Sequence, residues 1–175
     1  VLLVSWPENG LNGVALQSGR APAAGSLEVV VSTAFAEARQ LRPGDWLRMI
    51  VNGRRIDASL CGTGDSPEFV YSIAPGELLP DYRRHTVAWM DPEELAAIAG
   101  LRGAFNDLAV SLAPGASEGD VIVALDRLLL PYGGTGAYGR DEQLSDRFIE
   151  NEFEELRVHT TVVPLIFLGA AAFLL

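Results

Sequence analysis

The residues able to do chemistry are few and scattered. His85 and His159 are the only imidazoles in the 175-residue chain. They lie roughly seventy positions apart, with no third ligand near either, so the spacing supports neither a metal site nor a catalytic triad. The segment GTGDSPEF (62–69) sets Asp65 and Ser66 in a turn. A nucleophile elbow needs its serine between two glycines, however, and here Pro67 follows. A buried Ser or Asp poised beside His85 is the arrangement that would point to a hydrolase. The glycine-rich YGGTGAYG (132–139) follows a helical pattern instead of a strand and lacks the Lys-Ser/Thr ending of a phosphate-binding loop, so it reads as a connection. The paired acids Glu93/Glu94 and Glu154/Glu155 fall on helical segments, as caps and solvated faces and not as a general acid and base. The single Cys61 rules out an internal disulfide and a Cys-based zinc site. No catalytic constellation, metal or cofactor is expected from these residues.

Charge narrows the field further. The formal net charge is -10, and all thirteen basic residues are Arg, with no basic stripe. Phosphate-backbone binding rests on clustered cations, so no nucleic-acid partner is expected. The all-Arg usage reads as a coding bias of the source and not as a set of anion sites.

The elements that would position side chains can be read in order. LNGVALQSGRAP (11–22) is rich in turn formers and leads into the apolar strand LEVVVS. Ser32 or Thr33 caps a short helix through Gln40, which Pro43 and Gly44 end. WLRMIV (46–51) and RRIDASL (54–60) flank Asn52-Gly53, the pair suited to a type I′ hairpin. Ile56, Ala58 and Leu60 alternate with Arg55, Asp57 and Ser59, which buries one face of the second strand. The broken segment 61–84 predicts a packed loop with a short strand around Phe69, Tyr71 and Ile73. HTVAWM (85–90) predicts a strand, and Asp91, Pro92 and Glu94 supply the N-cap, first-turn Pro and capping acid of a helix that Gly100 ends. Phe105–Leu112 predicts another strand. A helix from Ser117 follows, with Val121, Leu125, Leu128 and Leu129 on one face, which completes β-α-β-α over 85–131.

The end of the chain has a different character. From about Asp141 a helix places Leu144, Phe148, Ile149, Phe153 and Leu156 on one stripe, with no Gly or Ser between Asp146 and Thr160. It continues into TTVVPLIFLGAAAFLL (160–175), which carries no charge, with Val162, Pro164 and Leu168 at its entry into lipid. At about 1.5 Å per residue this apolar stretch falls a few residues short of a bilayer core of about 30 Å. It reads as a transmembrane helix cut partway. Val1 is not an initiator Met and VLLVS lacks a basic n-region, so both ends read as excised. The expected division is a water-facing module over 1–159 and the start of a membrane helix over 160–175.

The order of the motifs carries a resemblance. GRAP (19–22), EVVVSTAFA (28–36), LRPGD (41–45), SPEFVY (66–71), AWM (88–90), AFND (104–107) and a long helix feeding an apolar segment together resemble the extracytoplasmic core domain of FtsX/MacB-like ABC transporter permeases. The similarity covers almost the whole chain, although each piece is short. It implies an α+β fold with small mixed sheets and β-α-β units in two lobes, ending in a long helix that enters the membrane. It implies residues 1–159 outside the cytoplasmic membrane, a separate cytoplasmic ABC ATPase that holds the enzymatic activity, and a second permease subunit as homo- or heterodimer. It also implies work on a lipid, lipoprotein, peptide or drug, or on an extracytoplasmic partner. The competing expectation is a membrane-anchored ligand-binding or sensor module with Trp46, Phe69, Tyr71 and Trp89 as aromatic contacts.

Overall fold

In the computed structural model the described residues are all except 8–10, 71–72, 75, 78 and 175, with the side chains at 170 and 174 also set aside. Six strands form one mixed sheet: β1 (Leu2–Ser5), β2 (Ala15–Gly19), β3 (Glu28–Ser32), β4 (Trp46–Val51), β5 (Arg54–Asp65) and β6 (Val87–Met90). The helices are α1 (Thr33–Arg39), α2 (Pro92–Ala99), α3 (Glu118–Leu129) and α4 (Leu144–Leu174). The fold is therefore mixed α/β with a long C-terminal helix.

Asn52 and Gly53 both take positive φ, 48° and 76°, as a type I′ turn requires, and the hairpin pairs Trp46 with Ser59 through Val51 with Arg54. The second strand does not stop at Leu60. It runs on to Asp65, so its first half pairs with β4 and its second half with β2, both antiparallel. Along its other edge β3 lies parallel, and the order continues through β6 to β1. Small residues make the β2 crossing possible: a Cβ at Gly62 would sit 2.8 Å from the carbonyl oxygens of Ser18 and Arg20. Strand β2 itself forms inside the segment that the turn-forming residues predict as loop.

The sheet has two apolar faces because side chains alternate along each strand. Val29, Val31, Ala58, Leu60, Ala88 and Met90 face one way and bury Phe35 and Ala36 of α1, with Leu95 and Ile98 of α2 packed beside them. Val30, Cys61, Val87 and Trp89 face the other way, where Val4, Trp6, Val14 and Phe69 cover them. Helix α2 starts as its residues predict, with the Asp91 carboxylate accepting from the Glu94 N–H at 3.1 Å, and it ends at Gly100 with φ 74°. The chain divides into two compact units, Val1–Ala113 and Pro114–Leu175.

The expected β-α-β-α series needs correction. The strand expected over 105–112 is absent: these residues are irregular, and Phe105, Leu108 and Val110 are half or more exposed. Alternation specifies which face a segment would bury, but a strand also needs a neighbouring backbone to complete its ladder, and none among the described residues pairs with this one. The β-α-β-α series over 85–131 is therefore incomplete. Its first strand, β6, does not begin a separate small sheet but lies between β1 and β3 in the common one. Pro67–Phe69 form a 3-10 turn, and the short strand expected around Phe69, Tyr71 and Ile73 falls on a stretch whose residues 71 and 72 lie outside the described residues.

Candidate functional site

Two features of the described residues could carry function: a cavity at one end of the sheet, and α4. The cavity forms where β3 and β5 end and β6 begins, because β6 runs antiparallel to β3 and brings its first residues to the same edge. Its volume is about 370 Å³. The apolar wall comes from Val87 and Trp89 on the sheet and from Phe69 and Val70 after β5. Phe69 meets Trp89 edge-on, with ring centroids 6.2 Å apart and planes at 61°. The polar wall comes from Ser32, Asp65, Ser66, Tyr82, His85 and Thr86.

Most of that polar wall is tied into the fold. The Ser66 hydroxyl donates to the Asn12 carbonyl at 3.2 Å and accepts from the Glu68 N–H. The Ser32 and Thr86 hydroxyls lie 3.0 Å apart, and Thr86 also donates to the Val87 carbonyl at 2.8 Å. One Asp65 oxygen accepts from the Thr33 N–H at 3.2 Å, where α1 begins. Burial lowers the His85 pKa below its ordinary value, an effect that Glu77 opposes. The imidazole is therefore neutral at pH 7, with one N–H and one bare nitrogen. Ser66, Asp65 and His85 thus share one cavity, which is the juxtaposition that would point to a hydrolase. Among the described residues no hydrogen bond joins His85 to either of them, and the Ser66 proton is committed to the Asn12 carbonyl, so His85 does not activate Ser66 in this arrangement.

Of the four aromatic residues expected as contacts, the fold brings Phe69 and Trp89 together and separates Trp46. Trp46 is 70% exposed on β4, beside the exposed Arg48–Asp57 pair at 3.0 Å. His159 lies on α4. Cys61 is buried in the sheet, its thiol donating to the Val29 carbonyl at 3.2 Å, and burial raises its pKa to about 11, so it is not a reactive thiol. Among the described residues no group of three His, Cys, Asp or Glu side chains could hold a metal ion. Ser32, Thr86 and Tyr82 escape sequence reasoning because nothing local marks them; the sheet order alone gathers them.

Helix α4 is continuous over 31 residues, about 46 Å at helical rise. Its first half carries Asp146, Glu150, Glu152, Glu154 and Glu155, and from Thr160 onward it carries no charge. Of the expected stripe, Phe148 and Ile149 are half-buried, whereas Leu144, Phe153 and Leu156 are exposed. Val162 and Leu168, expected at the membrane entry, are exposed as well. The helix is long and apolar enough to cross a membrane, with a mean hydropathy of 1.6 in its most apolar window and none of that window buried. Pro164 sits inside it and cannot donate to the Thr160 carbonyl, and one turn earlier the Thr160 hydroxyl already turns back onto Leu156 O at 2.8 Å. No protein-family model matches the chain, and no curated protein matches it significantly.

Proposed function

We propose that this chain is the extracytoplasmic part of an ABC transporter permease of the FtsX/MacB-like kind. In this reading residues 1–159 stand outside the inner (cytoplasmic) membrane in two lobes, and 160–175 begin a transmembrane helix. A cytoplasmic ATPase hydrolyses ATP, a second permease subunit completes the membrane region, and motion reaches an extracytoplasmic substrate or partner through α4. The observation that carries the reading is the unbroken passage of α4 from acid-rich turns into a charge-free stretch. With no Gly or Ser between Asp146 and Thr160, tilt of the apolar half is transmitted and not absorbed in a hinge. Leu144, Phe148, Ile149, Phe153 and Leu156 act as the coupling face, and Val162, Pro164 and Leu168 mark entry into lipid.

The test is a Gly-Ser insertion after Val158 in the full permease with its ATPase. Transport should fall to background while ATP hydrolysis continues and the water-facing part stays folded by circular dichroism. Transport at the normal rate would defeat the reading. The cavity favours a second reading, a membrane-anchored ligand-binding or sensor module, because it places Phe69 and Trp89 beside polar groups in one recess. Co-purification of an ATP-binding subunit with the full-length protein separates the two: the transporter reading requires it and the sensor reading does not.

A further inference from the structure

The polar wall of the sheet-end cavity has few protons to give. The single Thr86 hydroxyl proton goes to the Val87 carbonyl, so in the Ser32–Thr86 pair it is Ser32 that donates. The Ser66 proton goes to Asn12 O. All three hydroxyl protons are thus spent inside the protein, and what these residues can offer a guest is lone pairs. Asp65 adds a carboxylate whose second oxygen has no hydrogen-bond partner among the described residues. Among the described residues no Arg lines the cavity, and the side-chain donors left to it there are the Tyr82 hydroxyl and one His85 N–H.

A guest bearing an anion or only acceptors would have the Tyr82 and His85 donors alone to receive it, against the Asp65 carboxylate and the hydroxyl lone pairs. A guest bearing N–H donors and positive charge would find a carboxylate, hydroxyl lone pairs and aromatic faces, all of which favour a cation. The opposite wall of Phe69, Val87 and Trp89 asks for an apolar body. The volume of about 370 Å³ lies at the small end of the range for ligand sites, which limits the guest to one ring or a short branched chain. We infer that this cavity is a binding site for a small apolar amine in its ammonium form, with Asp65 taking the charged N–H and the Phe69–Trp89 wall holding the body. The inference does not depend on the transporter reading.

Calorimetry on the full chain in lipid nanodiscs, with empty nanodiscs subtracted, tests it using three matched probes: 2-phenylethylamine, 2-phenylethanol and phenylacetate. The amine should bind about tenfold more tightly than the alcohol, with phenylacetate weakest. Asp65→Asn keeps an acceptor for the Thr33 N–H and should erase the preference for the amine without changing alcohol binding. Ala15→Leu, on the exposed edge strand that lines the cavity, should weaken amine and alcohol alike. The inference is overturned if millimolar amine gives no heat, if phenylacetate binds as tightly as the amine, if the preference survives Asp65→Asn, or if Ala15→Leu changes nothing.

Discussion

The two compact units of this chain solve the problem of apolar side chains in opposite ways. In Val1–Ala113 the sheet buries Val29, Val30, Val31, Ala58, Leu60, Val87, Ala88, Trp89 and Met90 almost completely. In Pro114–Leu175 no large apolar side chain among the described residues is buried: Leu128 and Leu130 of the α3 region and Leu165, Ile166, Phe167 and Leu168 of α4 are all more than 60% exposed. A helix of ordinary length draws most of its stability from packing an amphipathic face. The first unit carries its own interior, whereas the apolar side chains described in the second remain exposed. The charge-free half of α4 belongs to a helix long and apolar enough to cross a membrane.

Substitutions can break or sharpen this contrast. Trp89→Ala removes the largest fully buried side chain and should cost about 4 kcal/mol in denaturant unfolding of the first unit. A loss under about 1 kcal/mol would mean that the interior is not closed as described. Gly62→Ala should cost about 1–3 kcal/mol, because its methyl group would push on the carbonyls of Ser18 and Arg20 where β2 crosses β5. Hydrogen exchange along β2 should rise in the same variant. Asp91→Ala removes the N-cap of α2 and should cost about 1 kcal/mol, read as a lower thermal midpoint.

The Arg20–Glu28 pair makes a smaller, pH-dependent contribution. Arg20 forks onto Glu28 at 2.5 and 2.6 Å, and the Ala23 N–H adds a third bond, which together hold the Glu28 pKa down to about 2. A depressed carboxylate stabilises the fold above its ordinary value of 4.5, and that contribution is lost as pH falls through about 2. Midpoints measured from pH 6 to pH 2 should therefore fall less steeply for Glu28→Gln than for the native chain. Equal slopes would dismiss the pair. Phe153→Ala sits at the other extreme: at 66% exposure on α4 it should change stability by no more than about 0.5 kcal/mol. A large loss there would show that the second unit has a closed interior after all.

What was legible in the sequence was local. Asn52-Gly53 specified its turn because both residues tolerate positive φ, and Asp91, Pro92 and Gly100 bounded α2 through backbone chemistry confined to that helix. The edges of β5 were not legible, because nothing in CGTGD distinguishes the tail of a strand from a loop until β2 and β3 lie alongside it. The segment 105–112 fails for the complementary reason: it has strand-like side chains and no partner. The candidate site was harder still. Phe69 and Trp89 could be suspected from type alone, but Ser32, Asp65, Tyr82, His85 and Thr86 meet only because β6 returns antiparallel to β3.

The twelve residues of β5 have a mechanical consequence. A tug along their length loads the ladders to β3, β4 and β2 together, in shear, and many hydrogen bonds must fail at once. β1 is held by one neighbour through four residue pairs and can peel away a rung at a time, like a zipper. Under stress the sheet should open at β1 and keep β5 to the last, with amide exchange fastest along Leu2–Ser5.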